Sequence, residues 1–390
     1  MSAPTRAPDD LRRWPGQSLA QGAAGIALLH IERAHLGAGS WQTAHAWVTE
    51  ATREEISAAD DTGLFIGAPT LAYVLHAAGA DGTARYGPAL SDLDAHVTAL
   101  THRRVDAAHA RIDRHEPGCF AEYDLVRGLT GLGAHLLAHA PGDDALERVL
   151  AYLIRLTQPL HTDSGTVPGW WVYHDPRRTD SPAFPGGHAN LGLAHGITGP
   201  LTLLAQSLRR GITVDGQRDA IAVICEWLDT WRQDADTGPW WPQWITRDEV
   251  RTGWSNQRGP LRPSWCYGTP GLARAQQLAG IAMGDVRRQR LAEHALTAAA
   301  SDPVQLARIV DASLCHGWAG VYQTVWRAAR DALTPVIGAS LPHLADQLTR
   351  GARGEDSGFL EGDAGTALAL DTATRDTPPV SGWDACLLIN

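Results

Sequence analysis

Trp265-Cys266-Tyr267-Gly268-Thr269-Pro270-Gly271 and Leu314-Cys315-His316-Gly317-Trp318-Ala319-Gly320 are two copies of one phrase. Each is a Gly-x-x-Gly pair with a cysteine two residues before the first glycine. The pair recurs along the chain, as Gly22-Ala23-Ala24-Gly25, Gly128-Leu129-Thr130-Gly131, Gly196-Ile197-Thr198-Gly199 and Gly362-Asp363-Ala364-Gly365. A seventh copy, Gly67-Ala68-Pro69-Thr70, carries threonine in the last slot. The first glycines are spaced 45, 61, 68, 72, 49 and 45 residues apart. A period near 45 fits one pair of helices with its turns.

After each glycine pair comes a run rich in Ala and Leu, such as Gly131-Leu132-Gly133-Ala134-His135-Leu136-Leu137. Such runs suit a buried helix. The segments between them are more charged, as in Asp143-Asp144-Ala145-Leu146-Glu147-Arg148. The pattern predicts an all-α fold in which seven buried helices alternate with seven more exposed ones, in two layers around one core. Length alone suggests two or three domains, but the end-to-end repeat predicts a single domain over 1–390. Three inter-repeat segments are long and place insertions near 80–120, 158–190 and 234–263. The last two hold aromatic runs, Gly169-Trp170-Trp171-Val172-Tyr173 and Pro239-Trp240-Trp241-Pro242-Gln243-Trp244, bounded by turn residues. They read as short strands and loops. Their aromatic side chains are either a peptide-binding surface or anchors that fix long loops.

The register sets the chemistry. If each Gly-x-x-Gly opens a buried helix, the residues just before it gather at one end of the stack. Cys266, Cys315, His316, His195, Tyr267 and Glu361 hold the two positions before a first glycine, and Asp124 stands four before Gly128. Two thiolates and an imidazole are a zinc-ligand set, and three protein ligands leave a fourth position for water or substrate, as in catalytic centres. Helix N-termini also favour negative charge and so thiolates. His135 and His139 are four apart on one predicted helix, a ligand-like spacing with no third ligand apparent.

Composition excludes several classes. The net charge of −10 argues against a nucleic-acid partner. All 33 basic residues are arginine, so Schiff-base or lysine-base chemistry is excluded. Five cysteines in 390 residues do not read as a disulfide framework and point to a reducing, cytoplasmic setting. Cys119, Cys225 and Cys386 read as ordinary thiols. Met1 to Asp10 lacks an apolar signal region and reads as a loose tail, and no run approaches a membrane span.

Trp265-Cys266-Tyr267-Gly268, Cys315-His316-Gly317, Asn190-Leu191-Gly192-Leu193-Ala194-His195-Gly196, Tyr123-Asp124-Leu125 and the ending Gly382-Trp383-Asp384-Ala385-Cys386 together resemble the lanthionine synthetase C-like cyclases. The resemblance covers nearly the whole chain. It implies a closed α/α toroid of seven inner and seven outer helices, where periodicity leaves ring and open solenoid undecided. It implies one Zn2+ per chain, with Cys266, Cys315 and His316 as ligands. Asp124, His195 and Arg262 match the polar active-site residues, and Tyr267 is an alternative proton donor. The implied activity is Michael-type addition of cysteine thiols to dehydroalanine or dehydrobutyrine in a dehydrated lanthipeptide precursor, giving thioether rings. The chain has no room for a dehydratase domain, so a separate dehydratase is the implied partner. The implied location is cytoplasmic, or peripheral to a membrane-associated biosynthetic complex. Two other readings stay open: a cyclase-like zinc toroid that binds a thiol or peptide without closing rings, and a toroid glycosidase using Asp124 and Glu361.

Overall fold

The computed structural model describes residues 16–162, 165–179, 181–351 and 357–390. The tail expected at the N-terminus lies outside them. Inner and outer helices alternate in chain order, beginning with inner α1 (Ala23–His35), outer α2 (Trp41–Ala51), inner α3 (Ala68–Ala78) and outer α4 (Gly87–Asp113). A short α5 (Phe120–Tyr123) leads to inner α6 (Leu129–His139) and outer α7 (Asp144–Leu156). Strands β1 (Leu160–Thr162), β2 (Gly165–Val167) and β3 (His188–Asn190) precede inner α8 (Thr198–Arg209) and outer α9 (Gln217–Trp231). Strands β4 (Gln233–Ala235), β5 (Gly238–Trp240) and β6 (Trp244–Thr246), with the short α10 (Arg247–Thr252), precede inner α11 (Thr269–Met283). Outer α12 (Val286–Ser301), a short α13 (Pro303–Leu306), inner α14 (Trp318–Asp331), outer α15 (Leu341–Arg350) and inner α16 (Asp363–Arg375) complete the series. Each inner helix packs on the next, and α16 packs back on α1. That contact closes the ring and gives the α/α toroid. Among the described residues six of the seven expected outer helices are present.

The glycine repeat has a steric cause. A Cβ at the second glycine would lie 1.9–2.8 Å from the carbonyl oxygen six residues upstream, at Gly25, Gly131, Gly199, Gly271, Gly320 and Gly365 alike. Only glycine lets the helix start so close to the loop that feeds it. Thr70 departs from this pattern by another device: its hydroxyl donates to the equivalent carbonyl, Leu64 O, at 2.8 Å. In that copy the first glycine, Gly67, adopts φ +80°, a conformation that the first glycines of the other repeats do not share.

The loops before the glycines then join one another. The backbone N–H of Leu125 donates to Ala194 O, Ala194 N to Cys266 O, Cys266 N to Cys315 O, Cys315 N to Leu360 O, Leu360 N to Ala20 O, and Leu19 N to Phe65 O. The residue two before each first glycine therefore sits beside its counterpart in the next repeat. The remaining step is bridged by Arg104, whose guanidinium donates to Thr62 O at 2.8 Å and Arg127 O at 2.7 Å.

The far end of the ring is filled by the C-terminal segment. Arg274 Nε donates to Ile389 O, Trp265 Nε1 to Leu387 O and Gln206 Nε2 to Asn390 O, each at 2.9 Å. Arg327 forks onto the fully buried Asp384. These bonds tie three inner helices and the loop carrying Cys266 to one segment.

The second and third insertions form short antiparallel pairs, β1–β2 and β4–β5, and are joined to each other by β3–β6. The first is absorbed mostly by α4, which runs 27 residues. The reading of Trp170 and Trp171 as a peptide-binding surface is corrected here. Both are buried, at 1% and 0% exposure, and Trp171 Nε1 donates to Gly186 O at 2.9 Å. They anchor the insertion because two indoles bury more apolar area than a loop otherwise could. Trp171→Ala is expected to lower stability by about 3–5 kcal/mol, the usual cost of emptying a buried aromatic site. Chemical denaturation measures it; a change below about 1 kcal/mol would mean that the indole is not packed.

Candidate active site

The loop hydrogen bonds decide which side chains meet. Because Cys266 N donates to Cys315 O at 3.3 Å, the two thiols face the same space from adjacent loops. The Sγ atoms of Cys266 and Cys315 and a ring nitrogen of His316 all lie within 4.8 Å of one another. Cys266 and His316 are each 7% exposed, and Cys315 is half-buried. Ser264 and Ser313 hold the two loops, each accepting from the backbone N–H three residues on, at Tyr267 and His316.

The electrostatics favour one thiolate. Hydrogen bonding from the Cys315 thiol, with further help from His316, holds Cys266 well below the ordinary thiol range despite burial. The hydrogen bond to Cys266, with burial, pushes the Cys315 thiol up, and Arg262 acts against that rise. Burial pulls His316 down, but its hydrogen bond to Cys266 raises it overall. Two soft sulfur donors and an imidazole, mutually within reach and mostly out of water, fit a tetrahedral, borderline-soft divalent ion. They do not fit Mg2+ or Ca2+, which take oxygen ligands.

His316 is itself oriented. Its Nε2 lies 3.4 Å from Asp311 Oδ2. Asp311 is fixed in turn, since its Oδ1 accepts from Ser313 N at 2.9 Å. A carboxylate on the second nitrogen of a metal-ligating histidine fixes the ring and raises its basicity. Asp311→Ala is expected to weaken metal binding about 10–100-fold, measured by competition with a chromophoric chelator. Unchanged affinity would leave Asp311 as a loop cap only.

His195 and Asp124 form a pair at the same end of the ring. His195 Nδ1 lies 2.6 Å from Asp124 Oδ2. Asp124 Oδ1 accepts from Arg127 N at 2.6 Å and Gly128 N at 2.8 Å. One buried carboxylate thus holds both the loop that feeds α6 and the histidine. The His195 ring stacks on Phe120 and leaves its side chain 27% exposed. Tyr267 lies alongside, with ring centroids 6.1 Å apart, and its hydroxyl is 3.5 Å from Asn190 Nδ2. Burial, reinforced by the charge of Cys266, pushes the Tyr267 phenol far up, so it remains protonated.

Arg262 is half-buried and near enough for its charge to act on both Cys315 and His316. Among the described residues it makes no ion pair. Glu361 acts on Cys315 through its charge but is not in the Cys–Cys–His group. Asp124 has both oxygens engaged, which removes the support for a paired-carboxylate glycosidase.

Sequence reasoning missed Asp311 and Asn190. Both stand six residues before a first glycine, the position that Arg262 also holds. Extending the register from two residues before each glycine to six would have found them.

The lanthionine synthetase C-like protein family matches residues 13–388 of this chain. Nisin biosynthesis protein NisC of Lactococcus lactis subsp. lactis is 23% identical over 257 residues, covering 64% of this chain. That match spans about 60% of the length of the relative. The solved structure of nisin cyclase shares the fold, with a TM-score of 0.80 and 20% identity over 98% of this chain and 94% of that one. Family match, closed helical ring and glycine-paired loops agree, and the chain belongs to the lanthionine synthetase C-like family.

Proposed function

We propose that this protein is a zinc-dependent lanthipeptide cyclase. It joins cysteine thiols to dehydroalanine or dehydrobutyrine of a dehydrated precursor peptide, forming lanthionine or methyllanthionine rings. The observation that carries the reading is the meeting of Cys266, Cys315 and His316 in one group at the same end of the ring as the His195–Asp124 pair. Zn2+ bound by the three ligands would lower the pKa of a substrate thiol in its open position.

The chain's own residues supply the rest. The loops before α11 and α14 hold the thiol-binding group on a rigid ring, which lowers the entropic cost of bringing sulfur and alkene together. Attack forms a carbon–sulfur bond at the β-carbon and moves the alkene electron pair onto the carbonyl oxygen as an enolate. Arg262, a cation beside the centre with no ion pair among the described residues, stabilises that developing charge. The α-carbon then takes a proton, which balances the one lost by the thiol. His195 is the donor: Asp124 fixes its Nδ1 and leaves Nε2 for the substrate. Tyr267 is held too strongly protonated to be a ready acid and is better suited to donating a hydrogen bond.

A separate dehydratase supplies the substrate, and the protein works in the cytoplasm. Among the described residues no helix is long and apolar enough to cross a membrane. The test is to add the protein to a dehydrated precursor and count free thiols by alkylation. Cyclisation consumes thiols at constant peptide mass. A zinc toroid that only binds peptide would leave every thiol alkylatable once the complex is denatured.

A further inference from the structure

His135 and His139 lie on one face of α6, four residues apart. The fold brings them partners that the sequence keeps distant. His76, in the last turn of α3, stacks on His139 with ring centroids 4.2 Å apart and planes 8° from parallel. It meets the His135 ring edge-on at 5.5 Å. Asp94 reaches in from outer α4, with Oδ1 2.9 Å from His76 Nε2 and 3.9 Å from His135 Nε2. Ring nitrogens of His76 and His135 and a carboxylate oxygen of Asp94 all lie within 4.8 Å of one another.

We propose that His76, Asp94 and His135 form a second metal site, with His139 adjacent, that takes a borderline divalent ion such as Zn2+ at the end of the inner helices away from the cysteines. Tetrahedral zinc with bonds near 2.0–2.2 Å sets nitrogen and oxygen ligands roughly 3.4 Å apart. The distances of 2.9 and 3.9 Å to Asp94 straddle that value, so shifts of a few tenths of an ångström complete the geometry. Burial pushes His135 and His139 down, which keeps both imidazoles neutral. Burial opposes ionisation of Asp94, but hydrogen bonds from His135 and His76 outweigh it and hold the carboxyl below its usual range.

His139 Nε2 supports a missing ligand, whereas the free nitrogen of His135 is Nδ1 and not the Nε2 that faces Asp94. His135 Nδ1 and His139 Nε2 are buried with no hydrogen-bond partner. Such atoms are costly to leave unsatisfied, and a small rotation of His139 offers its nitrogen to the ion or to a water on it. The site is also reachable, because the side chains of Asp94 and His76 are 40% and 20% exposed. Imidazole-rich donors select zinc-like ions over Mg2+ and Ca2+. The ion would tie α3, α4 and α6 at the seam where the loop hydrogen-bond ring passes through Arg104 and not directly from backbone to backbone.

Zinc titration of the metal-free protein against a chromophoric chelator tests the site. Wild type is expected to take up two equivalents, and Cys266→Ala/Cys315→Ala to keep one. Asp94→Asn and His76→Gln, made in wild type, should each weaken the second equivalent at least tenfold and leave the first unchanged. Co2+ separates the two centres, since only thiolate ligands give sulfur-to-metal charge-transfer absorption. A single equivalent in wild type, unaffected by Asp94→Asn, would overturn the proposal. The wild-type and Asp94→Asn comparison decides the matter even if the double cysteine variant fails to fold.

Discussion

Cys266→Ala is expected to lose the metal at the Cys–Cys–His centre and with it nearly all ring closure. The substitution removes one sulfur from a three-ligand set. Even the loss of a residue that merely orients a ligand costs about 10–100-fold in affinity, so loss of the ligand itself should exceed 100-fold. The fold should survive. The thiol is small, and the loop is held by backbone bonds from Cys266 N to Cys315 O and from Leu193 N to Cys266 O, which alanine keeps. The specific readout is the thiolate-to-metal absorption of the Co2+-substituted protein, taken beside elemental analysis and a thermal melt. It should fall to a small fraction of wild type in a folded protein. Full retention of that absorption and of zinc would remove Cys266 from the ligand set. Wild-type cyclisation in a variant shown to be metal-free would detach the chemistry from the metal.

The glycine pairs made much of this visible in the sequence, because their cause is local. A helix that starts against its own feeding loop needs glycine at one fixed place, whatever surrounds it. Once that register is fixed, Cys266, Cys315 and His316 fall together without further information. Ring closure was not legible in the same way. It depends on α16 meeting α1, a contact between the two ends of the chain that no local period encodes. The roles of Trp170 and Trp171 were also hidden, since an aromatic run looks the same whether it faces a peptide or a core. The His76–Asp94–His135 cluster draws on three helices from two repeats and both layers, so no spacing in the sequence announces it. Asp124 uses its two oxygens for two tasks, one on the loop that feeds α6 and one on His195, which its place in the sequence does not show.

His195→Asn is expected to leave zinc content and fold intact while slowing cyclisation by about 10² or more, the usual scale for loss of a general acid. Asparagine is the informative replacement. Its amide can still donate to Asp124 Oδ2, so the carboxylate keeps a partner and the cap on Arg127 N and Gly128 N stays in place. What it lacks is the second nitrogen, the group that would carry a proton to the α-carbon. A structural role for His195 predicts a loss of stability with little change in rate; a proton-transfer role predicts the reverse. Peptide binding should change little, so the effect belongs in kcat and not in KM. A wild-type rate in a folded, zinc-loaded variant would take His195 out of the mechanism. Tyr267 would then have to give up a proton that its burial and the neighbouring Cys266 charge both hold in place, so such a result would also require substrate binding to reverse the electrostatics around the phenol.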